Sequence, residues 1–357
     1  MGRRNPEYIF VYREKKGGRV LRIFLIMLLL VAATFFLLNY ISCHHTEYQR
    51  RDITIPNLPE ALEGFSILHI SDLHGWKDAG LAQRIASLIS GKEYSCVVFT
   101  GDMLGRGSEE TLLEIADLFP PDLPRLLIPG DEDPPVMDAA PHASLSAYSD
   151  WAVRLQEHGI VILDEPFLFE RGINGQARLW IVPEELYTLD LDGYERVYRT
   201  QLQTSGGEDM SSQQAARQRH ARYQVERIGR IREKVAGMRE GDIQIALTHI
   251  PLTEEYVRTW LSDQSRDSAL SMRRISLVLA GHYTGGAWRL PWGGALYVPD
   301  MGWFPEDVRI QGMGYPGGIR QYISPGLGKS SIYGWMWGRM FNPQTVTSLE
   351  LTRKMKE

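Results

Sequence analysis

The chain has 357 residues, of which 43% are hydrophobic and 23% charged, proportions that exclude a disordered, collagen-like or low-complexity protein. Its two cysteines are too few for a disulfide framework: Cys43 follows an apolar stretch, and Cys96 lies inside another and reads as a small buried hydrophobe. The net charge is −5, but residues 1–22 carry seven Lys/Arg against two Glu, so the remainder carries −10. An acidic body excludes nucleic acid as a partner, because that binding is driven by basic surface.

The basic tail, residues 1–22, leads into a run from Ile23 to Leu38 that is apolar apart from Thr34. With its flanks the segment 20–42 approaches the roughly 20 residues of a membrane-spanning helix. The positive-inside bias keeps the N-terminus in the cytoplasm and sends the rest of this single-pass chain to the extracellular or periplasmic side. A cleaved signal would want a small-x-small site, which is lacking. A lipoprotein anchor at Cys43 would want a Leu-like residue where Tyr40 stands, and Arg3-Arg4 are followed by Asn5-Pro6-Glu7 rather than the hydrophobic pair of a twin-arginine signal. The segment reads as an uncleaved signal anchor. Residues 43–64 are polar and hold Pro56 and Pro59, which suggests an extended stalk.

From residue 65 to 354 a single α/β domain is expected. Short apolar runs end in polar clusters: 65–70 into Ser71-Asp72-Leu73-His74, 96–99 into Thr100-Gly101-Asp102, and 126–128 into Pro129-Gly130-Asp131. Later, 243–247 lead to Thr248-His249 and 275–280 to Gly281-His282. Between the first runs, Leu81, Ile85, Leu88 and Ile89, and then Leu112, Ile115, Ala116 and Phe119, recur at helical spacing. Strands covered on both faces, each releasing Asp or His at its C-terminal end, bring those side chains to one rim of the sheet, where open α/β folds bind ligands. Residues 184–240 form a charged insertion. In it Ala221, Val225, Ile228, Ile231, Val235 and Met238 predict a long amphipathic helix, packed on the domain or serving as a lid or partner-binding element.

Six strand-end carboxylates and imidazoles exceed what one tetrahedral zinc needs, and the oxygen–nitrogen mix suits Mn, Fe or Zn. Two ions sharing one Asp is the economical arrangement; such pairs, about 3.5–4 Å apart, activate water and clamp the oxygens of a phosphoryl group. A lone strand-end Asp or His is more often a cap or turn residue; the convergence of six on one rim is what makes them candidates for a site.

The order resembles the calcineurin-like metallophosphoesterases, and especially their membrane-attached bacterial branch. The resemblance is carried by Ile55-Pro56-Asn57-Leu58-Pro59 leading to His69-Ile70-Ser71-Asp72-Leu73-His74, by Gly285-Gly286-Ala287-Trp288-Arg289-Leu290-Pro291, and by Ala295-Leu296-Tyr297-Val298-Pro299-Asp300. Tyr322-Ile323-Ser324-Pro325-Gly326-Leu327-Gly328 and Phe341-Asn342-Pro343 complete it. It implies a sandwich of two mixed β-sheets flanked by helices. It also implies Asp72 and His74 on one metal, Asp102 bridging, and Asp131, His249 and His282 on the second.

Four positions depart from the family's pattern. Its Gly-Asn-His-Asp/Glu reads Gly130-Asp131-Glu132-Asp133, so a carboxylate replaces an amide ligand and Glu132 stands at the catalytic histidine's position. Its Gly-His-x-His reads Gly281-His282-Tyr283-Thr284, leaving Thr284 where an imidazole is expected on the first metal, and Gly105 replaces the second acid of Gly-Asp-x-x-Asp. The first site should therefore bind its ion more weakly. The extra carboxylate makes water harder to deprotonate, and an ionised Glu132 would repel phosphate. His142 is a candidate stand-in for the missing histidine.

The expected function is a phosphoesterase with one or two divalent ions, acting at the outer membrane face on phosphomono- or diesters such as lipid-linked or nucleotide-sugar phosphates. The alternative is a catalytically impaired domain serving as a tethered binding or structural module. The sequence names no protein partner.

Overall fold

The computed structural model describes residues 16–137, 146–204, 211–262, 269–298, 300–329 and 338–353. It opens with helix α1 (Lys16–His44), whose stretch from Gly18 to His44 is long and apolar enough to cross a membrane and lies outside the folded body. The chain then extends directly into β1 (Thr46–Thr54). The polar segment expected as a stalk is thus in good part a strand of the main sheet.

The first half alternates strand and helix as the apolar runs predict: β2 (Ser66–Ile70), α2 (Leu81–Ile89), β3 (Cys96–Thr100), α3 (Glu110–Ala116), β4 (Arg125–Ile128), α4 (Asp150–Glu157) and β5 (Ile160–Ile162). Leu81, Ile85 and Ile89 of α2, and Leu112, Ile115 and Ala116 of α3, turn to the core. The second half builds β6 (Phe167–Arg171), β7 (Ala177–Pro183), α5 (Leu191–Thr204), α6 (Ser212–Ala236), β8 (Ile243–Leu247), α7 (Glu254–Ser262) and β9 (Ile275–Ala280). Next come three short strands, β10 (Trp288–Arg289), β11 (Ala295–Val298) and β12 (Gly302–Trp303), followed by β13 (Gly312–Gly314), β14 (Gln321–Ile323) and β15 (Gln344–Thr352).

Two six-stranded sheets result, ordered β1-β15-β2-β3-β4-β5 and β13-β14-β9-β8-β7-β6, with β10-β11-β12 as a separate small sheet. This is the sandwich of two mixed sheets flanked by helices that the sequence implied. Ile67, Val98, Leu126, Leu179, Ile245, Leu277 and Leu349 meet between the large sheets. Each side chain buried to this degree contributes about 1.5–3 kcal/mol.

Register fixes where the N-terminal helix arrives. Strand β15 runs antiparallel to β2, and β1 runs parallel to β15 with Thr46 opposite Gln344. The start of β1, and with it the end of α1, therefore lies at the C-terminal rim of the central strands. There Cys43 Sγ contacts Arg339 O at 3.1 Å, and the Phe341 N–H donates to Asn39 Oδ1 at 2.9 Å.

The insertion is a pair of helices on the second sheet. A capping box at Ser211 and Gln214 starts α6, which buries Ala221, Ile228 and Ile231 of the predicted stripe. Arg227 fixes it by donating to Asp164 O at 2.6 Å and to Glu185 Oε1 at 2.7 Å, and Arg230 pairs with Glu165 at 2.7 Å. Between this helix pair and the ends of β4 and β8 lies a cavity of about 480 Å³, walled by Tyr194, Tyr198 and Arg227 and reaching His249.

Candidate metal centre

All six predicted ligands leave the C-terminal ends of parallel strands and meet where the two sheets converge. Asp72 and His74 follow β2, Asp102 follows β3, Asp131 follows β4, His249 follows β8 and His282 follows β9. Four of the six backbones are held in an unfavourable conformation: Asp72 (φ 52°), His74 (52°), Asp102 (51°) and His282 (78°) adopt the left-handed region, as does Thr284 (48°). Such strain costs of order 1–3 kcal/mol per residue and persists where surrounding structure imposes it, as at functional sites. Close approach of the loops imposes it here. Gly101 sits so near that a Cβ would lie 2.5 Å from His249 Nδ1.

The ligating atoms form two clusters sharing Asp102. Asp72, His74 and Asp102 make one, and Asp102, Asp131, His249 and His282 the other, each with its atoms within 4.8 Å of one another. His249 Nε2 lies 3.0 Å from Asp102 Oδ2 and 2.9 Å from Asp131 Oδ1, and His282 Nδ1 lies 3.2 Å from the same Asp131 oxygen.

Backbone amides aim the carboxylates. Asp72 Oδ1 accepts from the His282 N–H and Asp102 Oδ1 from the Glu132 N–H, both at 2.8 Å, which leaves each Oδ2 for the cluster. The imidazoles are aimed too. His249 Nδ1 lies 2.8 Å from the Thr100 carbonyl, which can only accept, so Nδ1 carries a proton and Nε2 is the nitrogen turned to the cluster. His282 Nε2 faces Asp300 Oδ2 at 2.9 Å, the carboxylate–histidine pairing that supports metal-ligating imidazoles.

A divalent ion fits this donor set on a direct observation. Asp72 Oδ2 and His74 Nε2 are buried and have no hydrogen-bond partner, a situation costing about 1–3 kcal/mol per group unless a ligand satisfies it. A cation between them does so. Electrostatics agree: hydrogen bonds from His249 and His282 hold the Asp131 carboxyl far below its usual range. Burial opposes charge on His249, but Asp102 and Asp131 outweigh it and raise its pKa well above 6.5. Burial also opposes charge on His282, where Asp131 prevails, and on His74, where Glu132 and Asp72 prevail.

The remaining predicted positions fall as follows. Glu132 is half-buried and turns its carboxylate to His74, 3.3 Å from Nδ1. Thr284 is buried in the turn after His282, its carbonyl accepting from Asn342 Nδ2 at 2.7 Å. Gly105 packs on His74, where a Cβ would stand 3.3 Å from its Cα. His142 lies outside the described residues.

Two residues escaped the sequence reading. Asp133 gathers four amides: it accepts from Leu104 at 2.7 Å, Gly130 at 2.9 Å, Gly105 at 3.0 Å and Met103 at 3.2 Å, pinning the β3 loop to the β4 loop. Asp300 supports His282. Both stood in motifs quoted for the resemblance, which was the only signal for them.

Compared with known protein families, residues 65–283 match Metallophos, the calcineurin-like phosphoesterases. The chain belongs to this family. No curated protein matches it. Among solved structures, phosphopantetheinyl hydrolase from Mycobacterium tuberculosis is similar over 78% of this chain and 96% of its own, at 13% identity and a TM-score of 0.36, too distant a likeness to carry an argument.

Proposed function

We propose that this chain is a membrane-anchored, metal-dependent phosphoesterase whose domain lies on the outer face of the membrane and hydrolyses a phosphomono- or diester. The observation that carries this reading is the pair of clusters sharing Asp102, with Asp72 Oδ2 and His74 Nε2 buried and unsatisfied. Asp72, His74 and Asp102 would hold one ion, with Thr284 beside it, and Asp102, Asp131, His249 and His282 the other; Mn, Fe and Zn suit these donors. Bound there, divalent ions supply Lewis acidity to water and charge neutralisation to phosphoryl oxygens. The protein's own groups position the donors: Asp72 and Asp102 through backbone amides, His249 through Thr100, and His282 through Asp300. Glu132, engaged with His74, serves to hold that ring rather than to donate a proton to a leaving group.

The end of α1 lies at the same rim as the metal centre, and Trp76, two residues beyond His74, lines a cavity of about 390 Å³ with Phe36 and Tyr40 of α1. A membrane crossed by α1 would therefore face the site, which supports a lipid-linked phosphate as substrate; a nucleotide-sugar phosphate is the alternative leaving-group chemistry. The seven Lys/Arg ahead of the apolar run favour the outward orientation.

The test is turnover of generic aryl phosphate mono- and diesters by protein loaded with Mn, Fe or Zn, compared with His249→Ala. Turnover no greater than the His249→Ala background would reject the enzyme. One observation favours a second reading, a tethered binding module: the Glu132 carboxylate is spent on His74. On that reading, Glu132→His with Thr284→His creates an activity that the unaltered chain lacks.

A further inference from the structure

We propose that the aromatic face of the small sheet β10–β12 rests in the headgroup layer of the membrane that α1 crosses, giving the domain a second contact with lipid. The proposal rests on reading α1 as an uncleaved anchor. Phe35 belongs to the apolar run of that helix, so whatever packs on its ring sits at the membrane boundary. Phe341 does so edge-on, with ring centroids 4.8 Å apart. One residue earlier, Met340 forms a bridge with Trp288, its carbonyl accepting from the Arg289 N–H at 2.8 Å, and Trp288 Nε1 donates to Gly338 O at 2.9 Å. Strand β10 thus starts where the apolar helix meets the domain.

From that point a row of aromatics crosses the sheet. Trp288 pairs with Tyr297, and Tyr297 with Trp303; residues directly opposite on antiparallel strands share a face. The Tyr297 and Trp303 rings stand 5.0 Å apart. Beyond the half-buried Trp288 and Tyr297 the rings are exposed, Trp303 62%, Phe304 65% and Trp292, in the β10–β11 turn, 81%. Behind the sheet, Val298 packs against Ile310 and Ala295 and is buried. One side of the sheet is committed to the domain, and the other shows aromatic rings to the outside.

Indole and phenol rings favour the membrane–water interface, where an apolar body and a polar edge are both accommodated. Charge is not the attraction, since the chain beyond its basic tail is acidic. The contact should therefore be insensitive to salt. It holds the rim bearing Asp72 and His282 against the bilayer, a constraint that a single flexible tether would not impose.

The test uses the full chain with Cys43→Ser, reconstituted into phosphatidylcholine–phosphatidylglycerol vesicles and labelled with an environment-sensitive dye at Trp303→Cys or Trp292→Cys. Cys96 is fully buried and stays unlabelled. Ile173→Cys is the control: Ile173 is 78% exposed in the β6–β7 turn, at the opposite end of the strands from the rim. The expected result is blue-shifted emission, quenched by nitroxide-bearing lipids and unchanged in high salt, at positions 303 and 292 but not at 173. Water-like emission at all three positions, in chain that floats with the vesicles, overturns the proposal and leaves the anchor standing. Failure to float would reject the anchor, and the proposal with it.

Discussion

The carboxylate of Glu132 lies 3.3 Å from Nδ1 of His74, while the N–H of the same residue donates to Asp102 Oδ1 at 2.8 Å. One residue thus braces two members of the Asp72–His74–Asp102 cluster. Gly105 keeps the neighbouring space clear, since a Cβ there would press on His74.

Glu132→Ala should accordingly weaken the ion held by Asp72 and His74 by roughly 10–100-fold, the usual cost of losing a partner behind a metal-ligating imidazole. The ion held by His249 and His282 should be nearly unaffected. Isothermal titration with Mn or Zn, resolving two steps, checks this; equal weakening of both steps, or none, would contradict the assignment.

Much of this was readable from residue order. Asp72, Asp102, Asp131, His249 and His282 each end an apolar run, and a buried strand can release its polar residues only at its ends. Strand β1 was not readable, because Glu47, Arg50, Arg51 and Asp52 show no apolar alternation and its pairing partner β15 comes nearly three hundred residues later. The roles of Asp133 and Asp300 were hidden for a related reason. Both act through contacts between loops, and local sequence carries no record of which amide or ring a carboxylate will meet.

Asp133 supplies the next prediction. Asp133→Ala leaves four amides in a tight junction without their acceptor. Hydrogen bonds to charged groups contribute about 1.5–3 kcal/mol each, with strong non-additivity, so a total loss of roughly 3–5 kcal/mol is expected. Asp133→Asn, which keeps one oxygen, should lose less. Urea unfolding of metal-free protein measures both, and a loss under about 1 kcal/mol for Asp133→Ala would show that water replaces the carboxylate easily.

Asp300 should act on the other ion. Its contact with His282 Nε2 fixes the ring so that Nδ1 faces Asp131. Asp300→Ala is expected to weaken the His249–His282 site by about 10-fold or more and to alter the visible spectrum of cobalt bound there, whereas Asp300→Asn keeps an acceptor and should do less. Unchanged affinity and spectrum in Asp300→Ala would mean that the ring is held by its packing against Tyr283, whose ring centroid lies 5.0 Å away.

Proton linkage gives a prediction with a definite sign. His74, His249 and His282 have pKa values raised by their carboxylate neighbours, above 6.5 and for His249 well above it. In metal-free protein near neutral pH these rings therefore carry protons that offset the charge of Asp131. A metal takes only the neutral imidazole, so each ion must expel protons, and affinity should fall as pH is lowered. Because the pKa values lie above the ordinary one, the fall should begin at a higher pH than for a solvent-exposed histidine site. Titrating Zn or Mn at pH 7 in buffers of different ionisation enthalpy should report net proton release, shrinking as pH is raised through the elevated histidine pKa values. Binding without proton release at pH 7 would mean that the imidazoles are already neutral and that the carboxylates do not hold them charged.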